Sequence, residues 1–250
     1  MQAKDIHTTK GTSGSILYGE SEDQMLDKKI YYQNLWRRQR ILEPSRGRLL
    51  TFKEYVRLIS SFSKPSSLIL DAGCGSGVIA GTLASSGYNN LVGIDLVNRF
   101  KREKGISFVV ADNTCLPFRP ESFDTIFARK FVSVQDMTRG LGEFHKSLKD
   151  DGKLLVEVPN VKRLKSRIYE SLGLTPKYPH KYFPHMHMML FTTILQKCNY
   201  IVMKVKGDYV FIPLVASLVS ALKLDRLERE LGRLVPSLCL HLFAICRKRI

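Results

Sequence analysis

The stretch LILDAGCGSG at residues 68–77 decides the fold, because an apolar run ends in an acid and three alternating glycines follow it. A glycine-rich turn between a strand and a helix lets the backbone approach a nucleotide closely. Dinucleotide loops have the spacing Gly-x-Gly-x-x-Gly, whereas the glycines here are Gly73, Gly75 and Gly77. Asp71 would repel a pyrophosphate, but it suits a ligand that carries a cationic group. The loop therefore predicts a nucleotide ligand with a positive charge.

Two further acids close the next two predicted strands. Asp95 stands where a carboxylate accepts hydrogen bonds from ribose hydroxyls, and Asp112 could accept one from an adenine amino group. The carboxyl ends of neighbouring parallel strands line one crevice. Taken singly, Asp71 could cap the following helix and the other two acids could be ordinary strand ends. Taken together with the glycine turn, the three acids favour a shared ligand.

Apolar strands alternate with helical segments after residue 65, which indicates a parallel sheet covered on both faces. The predicted strands are Ser67–Asp71, Leu91–Leu96, Ile106–Asp112, Phe123–Ala128, Lys153–Val158, Tyr200–Val205 and Ser237–Cys246. The predicted helices are Gly77–Ser86, Gln135–Leu148 and Thr192–Cys198, and Asp150-Asp151-Gly152 is predicted as a turn.

Three regions lie outside this alternation. Residues 1–64 are predicted as an N-terminal tail and cap helices, and residues 65–250 as one domain with cap insertions at 160–189 and 208–236. Leucines at helical spacing in the second insertion predict a helix packed on the core; they are Leu224, Leu227, Leu231 and Leu234. Tyr31, Tyr32 and Trp36 could line an acceptor pocket or pack in the core.

The charge balance is strongly basic, with 39 Lys and Arg against 23 Asp and Glu, for a net +16. Such a surplus suits nucleic acid, anionic lipid or a polyanionic substrate, but a solvated surface with a basic bias is the favoured interpretation. Five cysteines without a Cys-x-x-Cys motif indicate reduced thiols, and the N-terminus lacks a secretory signal, so we expect a cytoplasmic protein. The longest apolar run, 209–222, is too short to span a bilayer, although it could contact a membrane surface.

Several motifs together resemble those of class I S-adenosylmethionine-dependent methyltransferases of the type 11 group. LDAGCGSG resembles motif I, GIDL the acidic strand after it, and ADNTCLPF the segment that holds adenine. SFDTIFA and LKDDGKLLVEVPN resemble motifs IV to VI, and PHMHMMLFTTILQKCNYIV resembles the later helix and strand. The resemblance implies a Rossmann-like, doubly wound α/β fold. Its seven-stranded sheet would have the order 3-2-1-4-5-7-6, with strand 7 antiparallel and helical caps.

The same resemblance implies S-adenosylmethionine as cofactor and assigns its contacts. Asp71 and Gly73 would contact the methionine portion, Asp95 the ribose, and Asp112 the adenine. The full implied set is Asp71, Gly73, Cys74, Gly75, Gly77, Asp95, Leu96, Asp112, Asn113, Ala128 and Arg129. Cys74 has no histidine near it in sequence, so packing in the loop is favoured over a role as nucleophile.

The sequence departs from this family where a base would stand. Many relatives carry a histidine after the fourth strand, whereas this chain has Ser133 in KFVSVQD. His180, His185 and His187 are the alternative candidates for a base, with packing or surface positions as the competing interpretation. No cysteine or acid with ligand spacing accompanies these histidines, so no metal is predicted.

The leading hypothesis is methyl transfer to an oxygen, nitrogen or carbon nucleophile of a small molecule. An RNA methyltransferase is one alternative, motivated by the basic charge. A non-enzymatic cofactor-binding or membrane-peripheral protein is another, motivated by the absent base and the apolar 209–222 run. A nicotinamide-dependent dehydrogenase is disfavoured by Asp71 and by the glycine spacing.

Overall fold

A computed structural model describes residues 30, 33, 52, 55–100, 105–129, 134–161, 164–173, 186–208 and 225–250. Within these ranges the chain forms one seven-stranded sheet with helices on both faces. The strands are β1 Ile69–Ala72, β2 Leu91–Asp95, β3 Ile106–Val110, β4 Phe123–Arg129, β5 Leu148–Pro159, β6 Tyr200–Asp208 and β7 His241–Lys248. The helices are α1 Val78–Ser85, α2 Val134–Ser147, α3 Leu164–Ser171, α4 Met188–Lys197 and α5 Asp225–Leu234; residues 55–60 are also helical.

The strand order is β3-β2-β1-β4-β5-β7-β6, as the resemblance implied. Strands β1 to β5 pair in parallel, and β7 runs antiparallel to both of its neighbours, β5 and β6. The carboxyl ends of β1 to β5 therefore lie on one edge of the sheet, which we call the carboxyl edge. The predicted fold class is confirmed.

Each face of the sheet buries its own apolar cluster, because the central strands are apolar on both sides. One cluster, which includes Leu70, Val92, Ile126 and Val156, joins the strands to α2 and α4. The other includes Ile69, Phe127, Leu155 and Phe243, and it packs against α1 and Tyr55 of the helical residues 55–60. The Tyr55 ring lies 5.1 Å from the Phe243 ring and 6.3 Å from the Phe127 ring. We call this second side the Tyr55 face.

Strand β5 begins five residues before the predicted start, so the predicted turn at Asp150-Asp151-Gly152 is wrong. Phe123 of β4 pairs with Leu148, and Thr125 pairs with Lys153, which places extra residues on β5 in a bulge. A Cβ at Gly152 would lie 2.8 Å from the Leu148 side chain and 2.9 Å from the Lys149 carbonyl oxygen. Pairing with β4 thus extends the strand through a segment whose residues favour a turn.

Other boundaries also differ from the sequence prediction. The last strand starts at His241 instead of Ser237, because Pro236–Leu238 forms a 3-10 turn with its proline at the start. Helix α4 starts at Met188 instead of Thr192, and β6 extends to Asp208 instead of Val205. Pairing with β7 carries β6 beyond the end of its apolar run.

The predicted leucine helix exists as α5, but its packing differs from the prediction. Leu234 is 76% exposed, so its predicted core position is wrong. The contact with β6 is made by buried Gly232, which lies against the Gly207 carbonyl oxygen. Leu224 and the side chain of Leu227 lie outside the described residues, as do Tyr31, Tyr32 and Trp36.

The predicted cap insertions are described in part. Helix α3 lies in the first insertion and α5 in the second, whereas residues 174–185 and 209–224 lie outside the described ranges. Among the described helices, none is both long and apolar enough to cross a bilayer. The assignment of both insertions as caps stays a prediction.

Replacing Gly232 tests the packing of α5 on β6. Gly232→Ala is expected to lower the free energy of unfolding by about 1–3 kcal/mol, because its methyl group would meet the Gly207 carbonyl. Gly142→Ala in α2 is the control, since its Cβ would meet nothing within 4 Å. The control should be neutral or stabilising by about 0.5–1 kcal/mol. Urea unfolding followed by circular dichroism measures both, and equal effects would contradict the contact.

Candidate functional site

The glycine loop is a tight turn that is tied to the end of β2. Gly73, Gly75 and Gly77 have φ of 81°, 58° and 83°, a left-handed conformation that glycine adopts without strain. The amides of Gly73 and Cys74 donate to the Ile94 carbonyl oxygen at 2.9 and 2.8 Å. A Cβ at Gly77, the N-cap of α1, would collide with the Phe100 ring. The loop therefore needs glycine for its backbone conformation and, at Gly77, for space.

Cys74 packs inside this loop. A Cβ at Gly93 of β2 would lie 3.0 Å from the Cys74 Sγ, so the thiol fills the space that this glycine leaves. Burial, reinforced by the charges of Asp71 and Asp95, raises the pKa of the Cys74 thiol far above its ordinary value. A thiol that stays protonated is a poor nucleophile. This supports the packing interpretation of Cys74.

Asp71 is a buried carboxyl group at the carboxyl edge, with 3% of its surface exposed. Burial raises its pKa to about 7, the Arg129 guanidinium opposes this shift, and the Asp95 charge adds to it. Its Oδ2 has no hydrogen-bond partner among the described residues. Burying an unsatisfied carboxylate oxygen costs free energy, which a cationic ligand group would offset.

The competing helix-cap interpretation of Asp71 holds only in part. The N-cap of α1 is Gly77, which makes no side-chain cap hydrogen bond. The Ala80 backbone N–H, in the first turn of α1, nevertheless lowers the pKa of Asp71. The carboxyl group thus faces the N-terminus of α1, and one of its oxygens lacks a partner in the described part of the chain.

Asp95 holds the loop in place from β2. Its Oδ2 accepts from the Gly75 amide at 2.9 Å, and its Oδ1 accepts from the Val97 amide at 3.0 Å. Burial raises the pKa of Asp95, and both of these hydrogen bonds oppose the shift. A carboxylate oxygen can accept more than one hydrogen bond. Asp95 therefore retains acceptor capacity for ligand hydroxyls while it fixes the turn.

The end of β3 also reaches the loop. Asp112 Oδ1 accepts from the Thr114 amide at 2.8 Å and from the Thr114 hydroxyl at 2.9 Å, which closes a short turn. Asn113 Nδ2 lies 3.7 Å from the place where a Cβ of Gly73 would stand. The third acid predicted from the sequence thus sits in a turn that places Asn113 beside the glycine loop.

The end of strand β4 lies beside the glycine loop. Ala128 is buried and pairs with Ala72, and the Arg129 carbonyl oxygen lies 3.8 Å from the same Cβ position of Gly73. The Arg129 guanidinium lies over the Phe52 and Tyr55 rings, 5.4 and 5.5 Å from their centroids. Leu96 follows β2 in a half-buried bend. The predicted cofactor-binding residues therefore come from the ends of four adjacent strands and their loops.

The predicted candidates for a base are only partly described. Ser133, His180 and His185 lie outside the described residues. His187 is the N-cap of α4, and its Nδ1 accepts from the Leu190 amide at 3.4 Å. This capping contact gives His187 a structural role. In the ranges that the structure describes, no three His, Cys, Asp or Glu side chains cluster as metal ligands.

One pair of polar side chains at this edge was not predicted from the sequence. Glu157 of β5 is 1% exposed, and its Oε1 lies 3.6 Å from His241 Nε2 at the start of β7. An acid inside the apolar run KLLVEVP is the signal that could have identified Glu157. No local pattern links the two residues, because only the β5–β7 pairing brings them together.

The segment that contains most of these residues resembles a known family in sequence. Residues 70–156 match a family model described as "Methyltransferase domain". These residues run from β1 into β5 and include the glycine loop, Asp95, Asp112 and Arg129.

Two curated relatives match a similar part of the chain. Phosphoethanolamine N-methyltransferase of Triticum aestivum is 34% identical over 122 residues, 45% of this chain and 24% of the relative. Probable tRNA methyltransferase 9B of Homo sapiens is 34% identical over 110 residues, 41% of this chain and 24% of the relative. The matched region thus spans about a quarter of the length of these relatives.

A solved structure extends the likeness to almost the whole chain. The 1,6-didemethyltoxoflavin-N1-methyltransferase of Burkholderia thailandensis, solved with bound 1,6-didemethyltoxoflavin and S-adenosylhomocysteine, superposes with a TM-score of 0.60. The superposition covers 95% of this chain and 94% of that one at 12% sequence identity. At this identity the likeness concerns the fold.

The raised pKa of Asp71 predicts how stability depends on pH without added ligand. Between its ordinary value of 3.8 and about 7, the folded protein keeps a proton on Asp71 that the unfolded chain releases. The folded protein is more stable with Asp71 protonated than with Asp71 ionised. This extra stability is fully present below about pH 4 and is lost as the pH rises through about 7. It amounts to about 4 kcal/mol at most.

Asp71→Asn should remove this pH dependence. The free energy of unfolding of the wild type is expected to fall relative to that of Asp71→Asn between pH 4 and 8. Urea titrations at several pH values measure the difference. Asp151→Asn, at an exposed position in β5, is the control and should follow the wild type. Parallel curves for the wild type and Asp71→Asn would contradict the raised pKa.

Proposed function

We propose that this protein is a class I S-adenosylmethionine-dependent methyltransferase that transfers the cofactor's methyl group to a small-molecule acceptor, because residues 70–156 match a methyltransferase domain model. The acceptor atom would be an oxygen, nitrogen or carbon nucleophile. The observation that carries the proposal is the buried carboxyl group of Asp71, whose Oδ2 lacks a partner in the described part of the chain. This carboxyl group lies buried beside a glycine loop that suits a nucleoside with a cationic amino-acid part.

The residues present fit this cofactor. Asp71 and Gly73 would hold its amino-acid portion, and the two oxygens of Asp95 would accept from the ribose hydroxyls. Asp112 and Asn113 would contact the adenine edge beside Leu96. The backbone of the glycine loop would approach the ligand, and the end of β4 would line its reactive side; these residues are Gly73, Cys74, Gly75, Gly77, Ala128 and Arg129.

S-adenosylmethionine supplies a methyl group that its sulfonium already activates. The task of the protein is therefore to align the nucleophile and to exclude water. Alignment of two reactants can contribute roughly 7–11 kcal/mol in favourable cases. The loop amides donate hydrogen bonds to the Ile94 carbonyl oxygen and the Asp95 carboxylate, which fixes the loop before ligand binding, so little conformational freedom remains to be lost there.

The acceptor could be a small molecule or an RNA. Similarity to a phosphoethanolamine N-methyltransferase supports a small molecule. The net charge of +16 and similarity to a probable tRNA methyltransferase support RNA as the second candidate. We favour the small molecule, because the Phe52 and Tyr55 rings cover Arg129 at the edge where the acceptor would enter.

Calorimetry tests the cofactor assignment. S-adenosylmethionine and S-adenosylhomocysteine should bind the wild type, and Asp95→Ala should weaken binding about 10- to 100-fold. The substitution removes charge-assisted hydrogen bonds to ligand and loop, each worth about 1.5–3 kcal/mol. Asp151→Asn is the matched control and should bind as the wild type does. No binding by the wild type, or undiminished binding by Asp95→Ala, would refute the assignment.

A turnover assay then separates the acceptor classes. Release of S-adenosylhomocysteine is measured with phosphoethanolamine, with catechol and with a tRNA transcript. Turnover of a small molecule is expected. RNA binding that is tight and falls steeply with salt, together with turnover of the transcript, would instead favour the second candidate. Cofactor binding without turnover of any of the three would favour a non-enzymatic cofactor-binding protein.

A further inference from the structure

Polar side chains form a row on the Tyr55 face at the carboxyl edge, beside the cofactor site. Arg129 of β4 pairs in register with Glu157 of β5, so both side chains leave the same face of the sheet. Glu157 is two residues after Leu155, and His241 is two residues before Phe243; both apolar neighbours belong to the Tyr55-face cluster. Side chains on a strand alternate with a period of two. Arg129, Glu157 and His241 therefore share this face.

Glu157 and His241 form a carboxylate–imidazole pair with one buried and one accessible member. The side chain of Glu157 is 2% exposed and that of His241 is 22% exposed, with 3.6 Å between Oε1 and Nε2. This is an ion-pair distance once the imidazole is protonated. A buried carboxylate beside a histidine orients the ring and stabilises the imidazolium, as in hydrolytic triads. The pair has the chemistry of a base that solvent or a ligand can reach.

The pair lies within the reach of a small acceptor from the cofactor loop. The Arg129 carbonyl oxygen is 3.8 Å from the Cβ position of Gly73, which ties the end of β4 to the loop. Glu157 lies on the next strand, and adjacent strands are about 4.8 Å apart. His241 lies one strand further, on β7, so two strand spacings, about 10 Å, separate the end of β4 from the start of β7. A hydroxyl or amine held between these strand ends would be within reach of the imidazole of His241, directly or through one water.

Two cationic residues lie on the strands beside this pair. Arg129 is the register neighbour of Glu157 on β4, and buried Lys206 of β6 pairs with Phe243 on the other side. The helical residues 55–60 contribute Tyr55, whose ring packs on Phe243 and lies near the Arg129 guanidinium. These groups set the electrostatic environment in which His241 would gain or lose a proton.

We propose that His241, backed by Glu157, is the base of the acceptor site, and that the acceptor reacts through a hydroxyl or an amine that carries a proton. This rests on the proposed function. The acceptor oxygen or nitrogen forms a bond to the methyl carbon while the carbon–sulfur bond breaks with its electron pair on sulfur. The proton of the acceptor goes to the imidazole of His241, and Glu157 stabilises the resulting imidazolium. Glu157 is thus a positioning residue.

The other described histidines have different environments. His187 caps α4. His145 of α2 packs its ring against Tyr200, with Nε2 3.3 Å from the Arg249 carbonyl oxygen, at the end of β7 opposite to His241. His145 is therefore a matched control of the same chemistry at the opposite edge of the sheet.

The kinetic test uses His241→Gln, Glu157→Gln and the control His145→Gln in the full chain, with phosphoethanolamine and catechol as acceptors. His241→Gln should lower kcat about 100-fold or more with little change in KM, because general-base catalysis contributes about 10²–10⁴-fold. The rise of kcat with pH near neutrality should disappear in this variant. Glu157→Gln should lower kcat about 10-fold, and His145→Gln should leave it unchanged. All three should bind S-adenosylhomocysteine as the wild type does.

A second measurement uses only the wild type and does not depend on the folding of a variant. Diethyl pyrocarbonate modifies accessible neutral imidazoles, and mass spectrometry quantifies the product at each histidine. With S-adenosylhomocysteine present, an acceptor that the wild type turns over should slow the modification of His241 at least 5-fold. Modification of His145 should stay unchanged.

The outcomes separate this proposal from the one on which it rests. If the wild type fails to bind S-adenosylhomocysteine, the proposed function fails and this inference falls with it. If the wild type binds it but turns over neither phosphoethanolamine nor catechol, the proposed small-molecule acceptor fails and the role of His241 falls with it. If the wild type turns over either acceptor, two results would overturn the role of His241 alone: an unchanged kcat and pH profile in His241→Gln, or no protection of His241 by that acceptor.

Discussion

The site depends on one constraint at the end of β2, where the Ile94 carbonyl oxygen and the Asp95 carboxylate hold the glycine loop. Three loop amides donate to these two groups, which forces the chain through left-handed conformations that glycine adopts without strain. The turn then directs α1 away from the edge and leaves Asp71 buried behind it. Because β2 lies between β1 and β3, the same constraint brings the end of β3, with Asp112 and Asn113, to the loop.

This arrangement carries an electrostatic cost that the fold alone does not offset. Asp71 and Asp95 are both buried enough to raise their pKa values, and they lie close enough for the charge of Asp95 to raise the pKa of Asp71 further. The Arg129 guanidinium and the Ala80 amide compensate only in part. Two buried acids that oppose each other's ionisation make a favourable environment for a cation. The two acids thus lower the stability of the ligand-free protein, and the same charges would strengthen the binding of a positively charged ligand. Such an exchange of stability for binding is typical of functional sites.

The sequence predicted those elements whose signals are local. Uniformly apolar strands predicted the parallel part of the sheet, and the acid–glycine pattern predicted a tight loop at the end of β1, because both patterns are formed by residues that are neighbours in sequence. Strand boundaries that are set by tertiary pairing were not predicted. Strand β5 begins early and contains a bulge because Leu148 pairs with Phe123, although the sequence Asp150-Asp151-Gly152 favours a turn. Leu234 fits a helical stripe, yet the close approach at Gly232 sets which side of α5 is buried. Periodicity predicts that a helix is amphipathic, but it does not say which small residue makes the contact.

His241 illustrates a site that local sequence patterns cannot reveal. It begins the last strand, far along the chain from the family motifs, and its partner Glu157 is hidden in an apolar strand. Because β7 runs antiparallel to β5, its first residue lies where β5 ends; a parallel β7 would place His241 at the opposite edge. In the proposed arrangement, strands β1 to β4 would hold the cofactor and the β5–β7 pair would add a base beside it. The two halves meet at Arg129 and Glu157, so the proposed acceptor site could change through β5 and β7 while the glycine loop stays unaltered.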